Sequence, residues 1–445
     1  MTVTPDPTAP VPLGLLPDTA TVGPSGNLVI GGCDTRELAA EFGTPLFVYD
    51  EAHLRNRCAE AVAAFGPGVN YATKAFLCSA MARLAVDAGM NLDVATGGEY
   101  AVARAAGVPA ERLLLHGNNK STDELRLALS EGVGRIVVDS FDELDRISRL
   151  VAEGVAADTP ELYVRITPGV EAHTHEFVRT GQDDTKFGFG VASGDAERAI
   201  DRIGEHADLE LVGLHMHIGS QVFEARFFEM AVEVVAPFFH RFDLPELSVG
   251  GGLGVPYVAG EEAPTITEWG AAIRHACAEA GIRAWVTAEP GRAIVAGAAV
   301  TLYEVGTVKD IPGIREYVSV DGGMSDNPRP VLYGSGYETF LARSVTAERP
   351  REVTVVGKHC ETGDVIVRDG RVPADLAVGD VLVTPVTGAY GHSMGSNYNR
   401  VPRPAVVFAS DGEARVVLRR ETMADLLATD TGIDPGIDPG TDAGY

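Results

Sequence analysis

The stretch Val69-Asn70-Tyr71-Ala72-Thr73-Lys74-Ala75 carries the most information about the fold. Its first half predicts a short strand, and helical spacing follows from Leu77 to Gly89. Lys74 is therefore expected at the carboxyl end of a buried strand, where parallel-sheet enzymes collect catalytic groups. Partial desolvation there lowers the pKa of an amine and suits a lysine that forms a Schiff base. Most lysines beside strand ends are solvated surface charges, so a catalytic role for Lys74 depends on support from the rest of the chain.

Seven further strand candidates follow, and most precede a helical stretch. They begin near Asn91, Arg112, Arg135, Glu161, Leu209, Glu246 and Arg283. Eight strand–helix units over about 220 residues favour a closed (β/α)8 TIM barrel over an open doubly wound sheet, which more often has about five or six strands.

Polar residues and glycines recur at the ends of these strands. They are Lys74, Asp93, His116, Asp139, Arg165, His215 with His217, Gly250 to Gly252, and Glu289. Ordinary strand-terminating residues would explain any one of them. Their recurrence at all eight strands favours the active-site face of a barrel.

The alternation of strands and helices stops after Arg292. Apolar β-type runs follow at Val300 to Lys309, Tyr317 to Val320, Val353 to Val356, Val381 to Thr384, Ala405 to Phe408 and Ala414 to Leu418. Because Gly, Pro and Asp punctuate these runs, they predict an all-β sandwich or barrel domain at residues 295–428, after a barrel at 46–294.

Both ends of the chain have a different character. Residues 1–45 are proline-rich at first and predict an N-terminal arm that partly joins the β-domain through Asn27 to Ile30. The segment Ile433-Asp434-Pro435-Gly436 repeats at once, which predicts a disordered tail at residues 429–445.

Composition narrows the function classes. A formal charge of −27 argues against nucleic-acid or anionic-membrane partners, which need a basic surface. No apolar run approaches a membrane span and no secretory signal is readable, so we expect a cytoplasmic protein. The cysteines are odd in number and lack a CxxC pair, which favours reduced thiols over a zinc ribbon or disulfide framework. They are Cys33, Cys58, Cys78, Cys277 and Cys360.

Two loops predict a phosphate site. Gly250-Gly251-Gly252-Leu253-Gly254 follows the seventh strand and Glu289-Pro290-Gly291-Arg292 the eighth. Serial glycines let backbone N–H groups approach a phosphate, and these two barrel loops often hold one. With a Schiff-base lysine, they fit pyridoxal phosphate: Glu289 would keep the pyridine nitrogen protonated, His217 would face the ring, and Ser220 would reach the phosphate.

A metal site is the main rival interpretation. His215-Met216-His217 has the HxH pattern by which barrel metallohydrolases hold zinc. The same setting suits one buried and one ring-stacking imidazole, and we therefore predict no metal. A second HxH, His173-Thr174-His175, lies between charged residues and is expected to be solvated.

The β-domain offers a thiol. Lys358-His359-Cys360-Glu361 places Cys360 beside a carboxylate, and a second glycine-flanked polar loop runs from Gly388 to Met394. Either segment could be only a turn. A thiol near a cationic site can act as a proton donor because its ordinary pKa lies near working pH.

Taken together, these motifs resemble those of the diaminopimelate decarboxylases, within the fold III (alanine racemase/ornithine decarboxylase-like) pyridoxal-phosphate enzymes. The resemblance runs from about Leu46 to Leu427. The ordered motifs that carry it are YATKA (71–75), LDVATGGE (92–99), HGNNK (116–120), HMHIGSQ (215–221), GGGLG (250–254), EPGR (289–292), VDGGMSDNPRPVLYG (320–334), GKHCETGD (357–364) and GAYGHSMGSNYNR (388–400).

The resemblance implies a role for each matching residue. Lys74 would bond the cofactor and Cys360 would donate a proton. The implied cofactor-binding residues are Lys74, His217, Ser220, Gly252, Glu289, Pro290, Gly291, Arg292 and Tyr390. The implied substrate-binding residues are Arg292, Arg329, Tyr333, Glu361 and Tyr390. His392 departs from the pattern, because it stands where the family is expected to have tyrosine.

The implied reaction converts meso-2,6-diaminopimelate to L-lysine and CO2, the last step of lysine biosynthesis. It would be carried out by an obligate homodimer in which each cysteine loop enters the neighbouring subunit's site. A fold III decarboxylase of another amino acid or polyamine precursor is the first alternative, although Arg329 favours a ligand with a distal carboxylate. A non-catalytic paralogue is the second, and the intact Lys74 and Cys360 argue against it.

Overall fold

The chain divides into two compact units in the computed structural model, which describes residues 8–169 and 185–432. We call them the β-unit (Met1–His53, Tyr257–Gly260 and Gly297–Tyr445) and the barrel unit (Leu54–Pro256 and Glu261–Ala296). The predictions for His173 to His175 and for the tail from residue 433 onward lie outside the described residues.

The N-terminal segment folds into defined elements within the β-unit. Strands β1 (Thr21–Val22), β2 (Leu28–Ile30) and β3 (Cys33–Asp34) form a small antiparallel sheet. Helix α1 (Thr35–Phe42) follows, and the Asp34 side chain caps it by accepting a bond from the Arg36 N–H. Strand β4 (Leu46–Asp50) ends the segment. The described part of this arm is thus more regular than its proline content suggested.

The barrel unit is built on a parallel sheet, as predicted. Its strands are β5 (Asn70–Ala72), β6 (Asn91–Val94), β7 (Leu113–Leu115), β8 (Arg135–Val138), β9 (Glu161–Thr167), β10 (Phe189–Gly190), β11 (Glu210–Met216), β12 (Glu246–Ser248) and β13 (Trp285–Thr287). Eight of them pair with their neighbours in chain order, and the ninth, β10, pairs with β9 outside this series. The Asn70 N–H donates to the Ala288 carbonyl (3.0 Å) and the Ala72 N–H to that of Pro290 (3.2 Å), so the first and last strands meet. The predicted eight-stranded barrel is confirmed.

Helices alternate with these strands. They are α2 (Glu51–Phe65), α3 (Ser79–Asp87), α4 (Gly97–Ala105), α5 (Thr122–Ser130), α6 (Phe141–Ala152), α7 (Asp195–Gly204), α8 (Arg226–Phe239), α9 (Ile266–Glu279) and α10 (Arg292–Val295). Capping boxes fix the starts of α5 and α9, where Ser121 pairs with Glu124 and Thr265 with Glu268. Among the described residues, no helix is long and apolar enough to cross a membrane.

The β-unit contains a nine-stranded mixed sheet. Its later elements are β14 (Ala299–Ile311), β15 (Arg315–Val320), α11 (Arg329–Tyr333), β16 (Phe340–Leu341), β17 (Arg351–Val356), β18 (Val365–Val372), β19 (Val381–Pro385), β20 (Ala405–Ser410), β21 (Glu413–Leu418) and α12 (Met423–Leu427). The six predicted β-runs are all strands here.

Strand β4 differs from the sequence-based boundary, which placed residues from 46 onward in the barrel. It pairs antiparallel with β14 and parallel with β20, at the centre of the β-unit sheet. All five of its residues are buried. A strand buried on both faces shows no alternation, so its sequence could not tell which sheet it joins.

Candidate active site

A buried carboxylate lies at the strand-end face of the barrel. Glu289, two residues beyond β13, has its Oε2 3.0 Å from His215 Nε2 and its Oε1 3.3 Å from His116 Nε2. The Ser248 hydroxyl donates to Oε1 at 2.8 Å. We call these four residues the Glu289 cluster; each is at most 6% exposed. Three strand ends therefore bring polar side chains to one carboxylate, and His215 and Ser248 hydrogen-bond to it.

The charge of Glu289 follows from these partners. Burial disfavours ionisation, but His215 and His116 outweigh it and hold the pKa of Glu289 well below its usual range. The carboxylate is thus an anion inside the barrel, which is the state that a protonated ring nitrogen requires of its partner.

Lys74 follows β5 in a short 3-10 turn, Thr73–Ala75. Two bonds fix the turn: the Tyr71 hydroxyl donates to the Phe76 carbonyl (2.6 Å) and the Thr73 hydroxyl to that of Asp93 (2.8 Å). The Lys74 side chain is exposed. The lysine thus stands on the turn just beyond β5, where its charge still acts on the buried His217 and Asp93.

Asp93 lies beside this turn. Burial raises the pKa of Asp93 to about 6, and the neighbouring charges of His116 and Lys74 oppose that rise. Its Oδ1 is 3.8 Å from His116 Nε2. Lys74, Asp93 and the Glu289 cluster therefore share one electrostatic environment, as their common place at strand ends predicted.

His215 and His217 have separate partners. His217 Nδ1 accepts a bond from the Gly251 N–H (3.2 Å), whereas His215 faces Glu289. Burial, then the positive charges of Lys74 and Arg165, holds the pKa of His217 well below its usual range. The imidazole is neutral, which suits packing against a ring. Among the described residues, the group able to hold a metal is instead His116, His215 and Glu289.

The glycine loop forms a cradle. Gly252 has a φ of 113°, and a Cβ there would collide with the Gly219 carbonyl oxygen. A Cβ at Gly291 would lie 2.9 Å from that of Ala72. Only glycine fits either position without displacing backbone or neighbouring side chains.

Polar groups line this cradle. Arg292 Nη2 donates to the Ser220 hydroxyl at 3.0 Å, which joins the loop after the eighth strand to the serine expected to reach the phosphate. Pro290 contributes its carbonyl to the β5 contact described above. A cation, a hydroxyl and an open backbone together suit an anion.

In the β-unit, Arg329 opens α11 and is 4% exposed. Its Nη1 donates to the Tyr337 hydroxyl at 2.6 Å, and its guanidinium lies 3.9 Å from the centre of the Tyr257 ring. Tyr333, at the other end of the helix, is 38% exposed. Arg329 is thus rigidly held, whereas Tyr333 faces outward.

We call Gly357 to Asp364 the cysteine loop. Cys360 is exposed there, whereas the other four cysteines are buried. The backbone around it is fixed: the Cys360 N–H donates to Asn399 Oδ1 (3.2 Å) and the His359 N–H to Asp364 Oδ2 (2.9 Å). Glu361, the next residue, is exposed as well.

Tyr390 and His392 follow β19. Tyr390 has a φ of 59° and is partly exposed. Burial, then the charge of Arg403, lowers the pKa of His392 to about 4, and its ring meets that of Phe47 edge-on at 6.0 Å. The residue that departs from the family pattern is therefore a neutral, packed imidazole.

Comparison with known proteins identifies the family. The model of the pyridoxal-dependent decarboxylase pyridoxal-binding domain matches residues 51–296. The diaminopimelate decarboxylase of Mycobacterium tuberculosis is 47% identical over 426 residues, which cover 91% of this chain and 95% of that protein. This chain belongs to the diaminopimelate decarboxylase family. The Bacillus subtilis member is 44% identical over 423 residues, with the same coverage of 91% and 95%.

Structures of the family share the fold. The M. jannaschii diaminopimelate decarboxylase, solved with L-lysine, superimposes with a TM-score of 0.86 at 32% identity, covering 94% of this chain and 98% of that one. Diaminopimelate decarboxylases are pyridoxal-phosphate enzymes, and the barrel unit fits that cofactor. It offers an anionic Glu289, a neutral His217, a glycine cradle beside Ser220 and Arg292, and the Lys74 amine.

The role of His116, His215 and Ser248 was not predicted. The sequence placed both histidines at strand ends, in HGNNK and HMHIGSQ, but gave no sign that both face Glu289. Ser248 lies inside the seventh strand, where a serine belongs to no motif and does not indicate a functional role.

Proposed function

We propose that this protein catalyses the pyridoxal-phosphate-dependent decarboxylation of meso-2,6-diaminopimelate to L-lysine and CO2. The observation that carries the proposal is the buried Glu289 carboxylate, which lies 3.0 Å from His215 Nε2 and 3.3 Å from His116 Nε2 on the barrel face that also bears Lys74 and the glycine cradle. Relatives named for this activity match nearly the whole chain.

The barrel residues bind and orient the cofactor in this proposal. When bound, pyridoxal phosphate supplies an electron sink for the bond between Cα and the carboxylate. Lys74 presents its amine to the aldehyde, and Glu289 holds a proton at the pyridine nitrogen. His217 packs against the ring face. Ser220, Arg292 and the backbone of Gly252 and Gly291 bind the phosphate.

In this proposal the β-unit residues act on the substrate, together with Arg292 of the barrel unit. Arg329, Arg292, Tyr333 and Tyr390 bind a carboxylate, and Glu361 binds the distal ammonium. The Cys360 thiol delivers a proton to the carbon that loses CO2, because a thiol carries a transferable proton near neutral pH. The buried Arg329 supports recognition of a diacid, since a guanidinium pairs well with a carboxylate.

We further propose a cytoplasmic homodimer with shared sites. The exposure of Cys360, Glu361 and Tyr333 in the single chain supports completion of each site by a second copy. The free cysteines suit a reducing compartment. Mixing inactive Lys74→Ala and Cys360→Ala proteins should then restore roughly a quarter of wild-type activity by subunit exchange. No recovery after confirmed exchange would refute sharing.

The decisive assay measures lysine and CO2 from meso-diaminopimelate with added cofactor. Ornithine, arginine and carboxynorspermidine serve as alternative substrates, and faster turnover of any of them would reassign the specificity. Lys74→Ala should lower turnover at least about a thousandfold, while Lys309→Ala, an exposed lysine in β14, should retain it.

Borohydride trapping tests the same lysine directly. The chain has five lysines: Lys74, Lys120, Lys186, Lys309 and Lys358. Peptide mapping of the reduced protein should find the adduct on Lys74 alone, and an adduct elsewhere would overturn the proposed site.

A further inference from the structure

The two oxygens of the Glu289 carboxylate have unequal numbers of close polar neighbours in the Glu289 cluster. Oε1 has two neighbours within hydrogen-bonding reach, the Ser248 hydroxyl at 2.8 Å and His116 Nε2 at 3.3 Å. Oε2 has His215 Nε2 at 3.0 Å. A carboxylate oxygen commonly accepts two hydrogen bonds. Within the described residues, Oε2 therefore has one close polar neighbour where Oε1 has two, and it is the less crowded oxygen.

Both histidines present the same ring nitrogen to the carboxylate. Their rings meet edge-on with centroids 4.7 Å apart, so neither can rotate without displacing the other. His215 is 1% exposed and His116 is 6% exposed. An unpartnered carboxylate at this depth would take up a proton, because burial penalises the charged form. The N–H groups of the two imidazoles replace the lost water.

The other charged groups near Glu289 do not orient its carboxylate. Arg165 pairs with Asp139 at 3.5 Å, and Asp93 Oδ1 lies 3.8 Å from His116 Nε2. Lys74 is reserved for the cofactor in the proposed function. Among the described residues, the chargeable groups closest to the Glu289 oxygens are thus His215 at 3.0 Å and His116 at 3.3 Å.

We propose that His116 and His215 are positioning residues, which orient the Glu289 carboxylate and leave Oε2 to accept one bond from the protonated pyridine nitrogen of the cofactor. The inference rests on the proposed function and assigns a role to two residues that otherwise have none. It separates them from His217, which accepts a bond from the Gly251 N–H and has the ring-facing role in the proposed function.

The test compares two ligands that differ at one atom. Apoprotein is titrated with pyridoxal phosphate and with its 1-deaza analogue, in which carbon replaces the ring nitrogen. The ratio of the two dissociation constants then reports the Glu289 contact alone. His215→Leu and His116→Leu should each lower the wild-type preference for pyridoxal phosphate at least about tenfold, the value of a charge-assisted hydrogen bond.

Matched variants separate positioning from packing. His215→Gln and His116→Gln keep an N–H donor and should retain most of the preference. His206→Leu, which changes an exposed histidine, should leave it unchanged. Equal weakening of both ligands in the leucine variants would show a packing role only and overturn the inference.

A double-mutant cycle keeps the test decisive if a leucine variant folds poorly. Glu289→Gln should lower the preference by itself, and the leucine substitution at whichever histidine tolerates it should change the ratio no further when added to Glu289→Gln. An additional loss would overturn the inference, as would stoichiometric divalent metal in purified wild-type protein. Wild type that binds neither ligand refutes the proposed function, whereas wild type that makes lysine with an unchanged variant ratio refutes only this inference.

Discussion

The Glu289 cluster and the cysteine loop show opposite ways of presenting a reactive group. In the cluster, both carboxylate oxygens are buried and bonded to neighbouring strand ends. In the cysteine loop the backbone is bonded to Asn399 and Asp364, but the side chains of Cys360 and Glu361 are exposed. One region is complete within the chain, and the other fixes a backbone while its functional atoms stay open.

This difference fits a division of labour. A group that tunes the cofactor works best in a dry, preorganised setting, where electrostatic contacts are strong. A proton donor that meets each new substrate needs access instead. Substitutions in the cofactor-binding region should therefore change cofactor affinity, and substitutions in the cysteine loop should change turnover.

The largest effect is expected at Cys360. Cys360→Ala should lower turnover by about 10²–10⁴-fold, the usual range for a lost general acid, while cofactor affinity stays within about twofold because the cluster is untouched. Steady-state kinetics and cofactor titration measure the two. Cys277→Ala, which changes a buried cysteine in α9, is the control and should keep its turnover. Parallel loss of cofactor binding in Cys360→Ala would erase the contrast between the regions.

The glycine cradle should fail in the opposite way. Gly252→Ala places a methyl group against the Gly219 carbonyl and should weaken cofactor binding more than about tenfold. Gly281→Ala carries similar backbone strain (φ 72°) but meets nothing within 4 Å. It should cost about 1 kcal/mol of stability and leave cofactor affinity unchanged. If both variants bind alike, strain rather than the cradle explains the loss.

Asn399 should have a smaller effect that acts through the cysteine loop. Its Oδ1 meets the Cys360 N–H at 3.2 Å and His359 Nδ1 at 3.3 Å, and its φ is 50°. Asn399→Gly keeps the backbone but loses the acceptor, and turnover should fall about three- to tenfold because the thiol is less well oriented. Asn399→Asp keeps an acceptor and should stay near wild type. Equal turnover of the two variants would show that the Asn399 side chain does not help to orient the Cys360 thiol.

The smallest effect is a pH dependence of stability from Asp326. Burial raises the pKa of Asp326 to about 7, although the hydroxyl of Tyr303 donates to it at 2.5 Å and the N–H of Gly323 at 2.7 Å. An aspartate in the unfolded chain titrates near about 3.9. Between these values the folded state binds the extra proton, so this stabilising contribution is lost as pH rises towards 7.

Calorimetry of Asp326→Asn measures that loss. The variant has no proton to release, and its melting temperature relative to wild type should increase by roughly 5 °C between pH 5 and pH 8. Asp369→Asn, which changes an exposed carboxylate of the same unit, should show a flat difference. A flat difference for Asp326→Asn would mean that the carboxylate stays ionised across this range.

Most of the barrel could be predicted because its signals are local. Each of the eight strands begins within two residues of its predicted start, since a buried strand that ends in a polar residue or glycine is visible in sequence. The same regularity placed Lys74, His116, His215 and Glu289 on one face.

What escaped prediction depends on contacts distant in sequence. The pairing of β4 with β14 and β20, and of both histidines with Glu289, joins segments that share no sequence pattern. Strand β18 was missed because Arg368, Asp369 and Arg371 interrupt its apolar pattern. The exposure of the Lys74 side chain depends on the 3-10 turn Thr73–Ala75, which the position of a strand end does not predict.

The position of β4 sets the order in which the chain can be completed during translation. Leu46–Asp50 leaves the ribosome before the barrel, yet both of its sheet neighbours are synthesised after the barrel has ended. The nascent chain therefore carries a largely apolar strand with unpaired edges while the barrel folds, and such a segment is prone to aggregation or chaperone binding. A ribosome stalled after residue 296 would display that strand with no partner to receive it.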